Sequence, residues 1–97
     1  MARVIYSQES LRDFERIIEF SLTTAPRSAG TVVERIRGTI AMLAEHPLIG
    51  RQRDRLRREL VISRGRTGYV AMYRFDPAAD CVFVLRIRHQ REAGFSG

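Results

Sequence analysis

The chain has 97 residues, which corresponds to one domain, because single hydrophobic cores usually contain about 100 to 150 residues. Its 44% hydrophobic and 29% charged residues are typical of a folded globular protein and exclude a disordered tail. Seventeen basic residues against eleven acidic ones give a formal charge of +6. No apolar run approaches the roughly 18 residues of a membrane span, and no signal-peptide core is present, so we expect a cytoplasmic protein.

The type and position of the charged residues are informative. Every basic residue is an arginine, which excludes chemistry that depends on lysine, such as a Schiff base. Residues 51–74 contain eight arginines and only two acidic residues, so the whole net charge comes from this segment. Concentrated arginine favours phosphate backbones or an acidic protein partner, and a solvated turn that keeps the chain soluble is the alternative interpretation.

The first half of the chain predicts a strand and two helices. Residues 3–7 are short and β-branched, which predicts a strand with Val4 and Tyr6 on one face. Ser7 is a suitable N-cap for a first helix from Gln8 to Leu22. Its predicted apolar stripe consists of Leu11, Phe14, Ile17, Ile18 and Leu22. A second helix begins near Pro26 after a short connection. Its predicted apolar stripe consists of Ala29, Val32, Val33, Ile36, Ile40 and Leu43.

The second half predicts three strands. Pro47 and Gly50 end the second helix, and residues 51–57 are predicted as a loop. Strands follow at 59–63, 69–75 and 81–88, joined by turns at 64–68 and 76–80, and such short connections favour antiparallel pairing. We therefore predict a single α+β domain over 1–97, in the order β-α-α-β-β-β, with the N-terminal strand and helical hairpin packed on one face of an antiparallel sheet.

Strand alternation predicts which side chains face the helices. On the last strand, Phe83, Leu85 and Ile87 are expected to face the helices. The opposite, exposed face is then expected to carry Val82, Val84, Arg86 and Arg88. On the middle strand we favour Tyr73 and Phe75 facing inward and Arg74 outward, because an arginine that is buried alone is costly.

Common catalytic and metal-binding signatures are missing from the sequence. There is no GxxxxGK[ST], HExxH or CxxC motif, and neither a metal site nor a cofactor is expected. Cys81, the only cysteine, is expected to have a packing role. Glu9, Asp13 and Glu19 are interpreted as a solvated helix face. His89, flanked by arginines, is either a structural histidine at the sheet edge or a general acid or base beside a phosphate site.

Four segments carry a family resemblance. In order they are LAEHPLIGR at 43–51, REL at 58–60, YVAMYR at 69–74 and VLRIRHQR at 84–91. The chain from Tyr6 to about Arg91 resembles the ParE branch of the RelE/ParE toxin superfamily. This resemblance implies a type II toxin encoded beside an antitoxin, often serving plasmid maintenance. It implies inhibition of DNA gyrase by trapping its cleaved DNA complex, without bond chemistry by the toxin.

The resemblance and the charge pattern together give a set of expected contacts. An acidic ParD-like antitoxin is the expected partner, in a toxin–antitoxin hetero-oligomer, and DNA phosphate is a possible contact. The residues expected to bind target or antitoxin are Arg51, Arg53, Arg58, Arg64, Arg66, Arg74, Val82, Val84, Arg86, Arg88, His89 and Arg91.

Two alternative functions stay open. The RelE branch cuts mRNA on the ribosome, and the resemblance then implies a catalytic set of Arg74, His89 and Arg86. A non-toxic paralogue that retains only binding is the third possibility. Sequence-specific DNA recognition by a ribbon-helix-helix dimer is disfavoured, because three more strands follow the two helices.

Overall fold

A five-stranded sheet with two helices on one face forms the fold. The computed structural model describes residues 1–63 and 68–89. Its elements are β1 (Arg3–Tyr6), α1 (Gln8–Thr24), α2 (Ala29–Ala41), β2 (Arg51–Gln52), β3 (Arg58–Val61), β4 (Tyr69–Asp76) and β5 (Cys81–His89). One-turn 3₁₀ helices at Pro26–Ser28 and Met42–Ala44 flank α2. The sheet order is β1-β5-β4-β3-β2, which confirms the predicted α+β class.

The first strand joins the sheet at its edge. β1 pairs with β5 in parallel, with Tyr6 opposite Val84, whereas β3, β4 and β5 form the predicted antiparallel meander. Parallel pairing is possible because the two helices supply the long crossover that such a pair requires. The helical hairpin packs on one face of the sheet as predicted, but β1 is the parallel edge strand of the sheet and not part of the layer that packs on it.

The second helix follows its predicted stripe, whereas the first follows it only in part. Ser7 caps α1 as predicted, since its Oγ accepts a hydrogen bond from the Ser10 backbone N–H at 3.0 Å. Leu11 and Leu22 were expected in the core but are 46% and 56% exposed. The buried side of α1 is instead centred on Ser10, Asp13, Phe14 and Ser21. Three of these four residues are polar, so the buried side of α1 is less apolar than the predicted stripe.

The faces of β5 differ from the prediction because the strand contains a β-bulge. Met72 pairs with Arg86 but Tyr73 pairs with Val84, so Leu85 is an extra residue that opposes nothing on β4. Val82 and Val84 are completely buried in the core, and their predicted place on the exposed face is wrong. Phe83 and Leu85 are half-exposed instead. Beyond the bulge the alternation is reset, and Ile87 faces the core as predicted.

The core lies between the helices and the inner side of the sheet. Ile36, Ile40 and Leu43 of the second helical segment are fully buried against Ala71 and Tyr73 of β4. Tyr73 therefore faces inward as predicted, and Phe75 packs against the same cluster. Cys81 is also buried. No helix in the described ranges is long and apolar enough to cross a membrane.

The segment before β3 is held by three specific contacts. Arg51–Gln52, predicted as loop, pairs with Arg58–Glu59 as a short edge strand. Just before it, the Gly50 N–H donates to the Tyr73 hydroxyl at 2.8 Å. The Arg58 guanidinium donates to the carbonyls of Leu48 and Gly50 at 3.1 and 2.8 Å. A Cβ added at Gly50 would lie 2.6 Å from Tyr73 and 2.7 Å from the Glu59 carbonyl, so only glycine fits there.

Gly50→Ala should destabilise the protein by about 1 to 3 kcal/mol, because the new methyl group overlaps Tyr73 and the backbone of β3. Gly38→Ala is the matched control, since a Cβ at this position of α2 meets nothing within 4 Å. It should stabilise the protein by about 0.5 to 1 kcal/mol through helix propensity. Urea unfolding of both variants measures the two free energies. A neutral or stabilising Gly50→Ala would contradict the described packing.

Candidate binding surface on the outer sheet face

The sheet face opposite the helices carries a group of arginines. We call Arg57, Arg74, Arg86 and Arg88 the outer arginine cluster. Arg86 and Arg88 lie opposite Met72 and Val70 on β4. Arg74 lies opposite Phe83, which is the next pair on the same face of the sheet. Same-face residues on adjacent strands are about 5 to 8 Å apart. The register therefore places Arg74, Arg86 and Arg88 at outer-face positions of β4 and β5, and the Arg86 side chain turns at the open edge of β5 towards α1.

Arg74 and Arg57 are braced by side chains of the same face. The Arg74 guanidinium lies over the Phe83 ring, 5.0 Å from its centroid, which is a cation–π contact. Arg57 forms a 2.6 Å ion pair with Asp54 and contacts the Met72 sulfur at 3.8 Å. Hydrogen bonds from the Arg57 side chain and backbone lower the pKa of Asp54 to about 2. Arg74 is outward-facing, as predicted.

A buried carboxylate on α1 fixes the position of the Arg86 guanidinium. Asp13 of α1 is only 2% exposed, and its Oδ2 and Oδ1 accept from Arg86 Nε and Nη2 at 2.8 and 3.1 Å. The same Oδ2 accepts from the Ile87 backbone N–H at 2.9 Å, and Arg16 adds a further ion pair. The interpretation of Asp13 as part of a solvated face is therefore wrong. Its spacing from Ser10 and Ile17 places it on the buried side of α1.

The charge state of Asp13 follows from these contacts. Burial by itself would raise the pKa of the Asp13 carboxyl. Hydrogen bonds from Arg86 and the Ile87 N–H, together with the positive charges of Arg86 and Arg16, outweigh burial and hold the pKa below its usual value. Asp13 is thus a buried anion that is paired with a partly exposed arginine.

His89 lies on the other side of the sheet from the cluster. It pairs with Tyr69, whose ring belongs to the core, and the two rings meet edge-to-face with centroids 5.4 Å apart. The Arg74 guanidinium lies on the outer face over Phe83, whereas the Arg86 guanidinium turns to Asp13 of α1 at the sheet edge. The structure therefore does not bring together the catalytic set Arg74, His89 and Arg86 that the nuclease alternative requires.

Most arginines of the 51–58 segment have local structural contacts. Arg53 forms a 2.9 Å ion pair with Glu59, and Arg58 holds the Leu48 and Gly50 carbonyls. Arg51 is exposed on β2. The predicted contacts Arg64, Arg66 and Arg91 lie outside the described residues. Within the described ranges, no three His, Cys, Asp or Glu side chains are grouped as a metal site would require.

Comparison with known proteins identifies the family. A family model for "ParE toxin of type II toxin-antitoxin system, parDE" matches residues 4–94. The chain belongs to the ParE toxin family. Toxin RelE3 of Caulobacter vibrioides is 35% identical to this ParE-family toxin over 92 residues, which cover 95% of this chain and 98% of RelE3. The toxin therefore belongs to a type II toxin–antitoxin system of the RelE/ParE superfamily.

Solved structures agree on the fold. The chromosomal ParDE system from P. aeruginosa has a TM-score of 0.73 at 19% identity, covering 92% of this chain and 96% of that one. The intact E. coli RelBE toxin–antitoxin complex has a TM-score of 0.68 at 15% identity, with the same coverage. Both are structures of toxin–antitoxin systems, and the likeness shows that this ParE-family toxin has the same fold as their toxins.

Asp13→Asn tests whether the buried carboxylate stabilises the toxin through its charge. The variant should lose about 1.5 to 3 kcal/mol at neutral pH, because it removes the ion pair between Asp13 and the partly exposed Arg86. The folded-state pKa of Asp13 is lowered, so its stabilisation is present above the unfolded pKa of about 4 and is lost as pH falls through the folded value. The wild type should therefore lose more stability on acidification than Asp13→Asn.

Urea unfolding at several pH values from about 7 to about 2 measures this difference. Glu15→Gln is the control, since Glu15 lies on the exposed side of the same helix. It should follow the pH dependence of the wild type. Parallel profiles for the wild type and Asp13→Asn would refute the charge-based role.

Proposed function

We propose that this ParE-family toxin inhibits DNA gyrase in the cytoplasm by trapping the enzyme's cleaved DNA complex, and that an acidic ParD-like antitoxin neutralises it. The observation that carries the proposal is the orientation of the outer arginine cluster. Arg57 and Arg74 present guanidinium groups on the outer face and Arg86 presents one at the open edge of β5, whereas His89 packs against Tyr69 on the inner face. Such a surface attracts and holds an anion without presenting His89 as a general base beside it.

The chemistry of arginine fits a cleaved DNA complex. Guanidinium groups bind phosphate oxygens in pairs of hydrogen bonds and also bind the carboxylates of a protein surface. The ion pair to Asp13 orients Arg86, and the Phe83 ring supports Arg74, so these two side chains lose less conformational freedom on binding. The cluster is therefore suited to bridge DNA and protein in one assembly.

Ribosome-dependent mRNA cleavage is the second candidate, and the name of the relative RelE3 favours it. In that mechanism Arg74 and Arg86 would stabilise the phosphate and His89 would transfer the proton of the 2′-hydroxyl. His89 would then have to act from the opposite side of the strand. This requirement makes cleavage the weaker proposal.

The primary test is a plasmid assay with purified gyrase, ATP and the antitoxin-free toxin. We expect linear DNA to accumulate and supercoiling to fall, and both effects to be reversed by the antitoxin. Arg74→Glu should require at least about tenfold more toxin for the same effect, because it reverses a charge within the cluster. Arg35→Glu on the exposed side of α2 makes the same change in net charge and should behave as wild type.

A parallel translation reaction with ribosomes and mRNA separates the two candidates. Cleavage of mRNA that falls about 100-fold or more in His89→Ala, with gyrase unaffected, would replace the gyrase proposal with the nuclease. Expression of the toxin without antitoxin tests the third possibility, a non-toxic paralogue. Normal growth under that condition, with folded protein present, would contradict both toxic mechanisms.

A further inference from the structure

A shallow depression beside the outer arginine cluster has an aliphatic floor. It has a volume of about 470 Å³ and lies between the 53–57 loop and the outer sides of β4 and β5. Its lining residues are Asp54, Arg55, Leu56, Arg57, Arg74 and Leu85. Leu85 is the bulge residue of β5, so the same irregularity that buries Val84 supplies part of this floor.

The loop that holds Leu56 is fixed by its own hydrogen bonds. Asp54 Oδ1 accepts from the backbone N–H groups of Leu56 and Arg57 at 3.0 and 2.8 Å. The Arg53 N–H donates to the Arg57 carbonyl at 2.9 Å, which closes the turn. Leu56 is nevertheless 63% exposed. A well-defined turn thus presents a leucine that the described part of the chain leaves uncovered.

The rim of the depression has an excess of positive charge. Among the described lining residues the one carboxylate is Asp54, which is already paired with Arg57. No ion pair in the described ranges joins Arg55 or Arg74 to a carboxylate. Two guanidinium groups therefore flank an aliphatic floor, and an apolar side chain between carboxylates would complement both features.

The same geometry disfavours a nucleic acid in this depression. Single-stranded nucleic acids bind to arginine-rich surfaces chiefly by stacking bases on open aromatic rings. The adjacent aromatic ring, Phe83, is covered by the Arg74 guanidinium. Leu56 and Leu85 offer aliphatic contacts, which suit a protein side chain.

We infer that this depression anchors the antitoxin, by receiving one aliphatic side chain that carboxylates flank in the antitoxin sequence. Leu56 and Leu85 contact the apolar side chain, and Arg55 and Arg74 pair with the neighbouring carboxylates. The inference rests on the proposed neutralisation by an acidic antitoxin and specifies its contact. It is independent of whether gyrase or the ribosome is the target.

The test measures binding of full-length toxin variants to the antitoxin encoded beside the toxin gene, by titration calorimetry. Leu56→Ser should raise the Kd about 10- to 100-fold, which corresponds to the loss of one buried leucine. Leu22→Ser is the matched control, because Leu22 is similarly exposed on α1, and it should bind as wild type. Arg55→Glu should weaken binding about tenfold, compared with Arg35→Glu, which should have no effect.

Thermal unfolding of each variant verifies folding, and no shift is expected for Leu56→Ser because Leu56 is already exposed. Equal affinities of wild type and Leu56→Ser, or equal losses in Leu56→Ser and Leu22→Ser, would overturn the inference. So would a wild-type toxin that fails to bind this antitoxin.

A labelled DNA oligonucleotide provides the second measurement. If Arg55→Glu weakens only DNA binding, the depression is a nucleic-acid site. If the gyrase assay is negative but antitoxin binding depends on Leu56, only the proposed target is refuted.

Discussion

The Asp13 carboxylate accepts a hydrogen bond from a backbone N–H that the topology of the sheet leaves without a strand partner. β1 ends at Tyr6, opposite Val84, because the chain must turn into α1, and β5 continues for five more residues with no strand of the described ranges beside it on that side. Unpaired backbone groups in a partly buried edge are costly. Ser7 Oγ donates to the Leu85 carbonyl at 3.0 Å and Asp13 accepts from the Ile87 N–H, so the first turns of α1 replace the missing strand.

The bulge at Leu85 lies at this same point, and it connects the core to the outer surface. Before the bulge, Val82 and Val84 face the helices; after it, Ile87 does. The extra residue allows both halves of the strand to contribute to one core while Leu85 and Arg86 remain accessible. Asp13 then neutralises part of the charge that Arg86 brings to the edge. The hydrogen bonding at the end of β5 and the orientation of Arg86 thus both depend on the Asp13 carboxylate.

Sequence periodicity predicted the main elements of the fold, because both helices and the two long strands, β4 and β5, have recognisable apolar spacing. It failed where the regularity is broken. Alternation cannot reveal a bulge, so Val82 and Val84 were assigned to the wrong face and Phe83 was missed as the support for Arg74. Leu56 had no signal in its local pattern, because a leucine in an arginine-rich loop has no periodic neighbours. The burial of Asp13 could have been inferred from its position on the helix, three residues after Ser10 and four before Ile17.

The family resemblance predicted the toxin class. The orientation of a side chain such as His89 could not be predicted in this way, because it requires the strand register.

The close approach at Gly50 has a consequence for how this sequence can evolve. A side chain at position 50 meets two obstacles, the Tyr73 ring and the Glu59 carbonyl. Replacing Tyr73 with a smaller residue removes the first obstacle, but the second belongs to the backbone and is present whatever residue occupies position 59. Position 73 can therefore be substituted while glycine is retained at position 50. No single substitution elsewhere allows a side chain at position 50. A lineage that retains this loop geometry is confined to glycine there, even after the tyrosine has been lost.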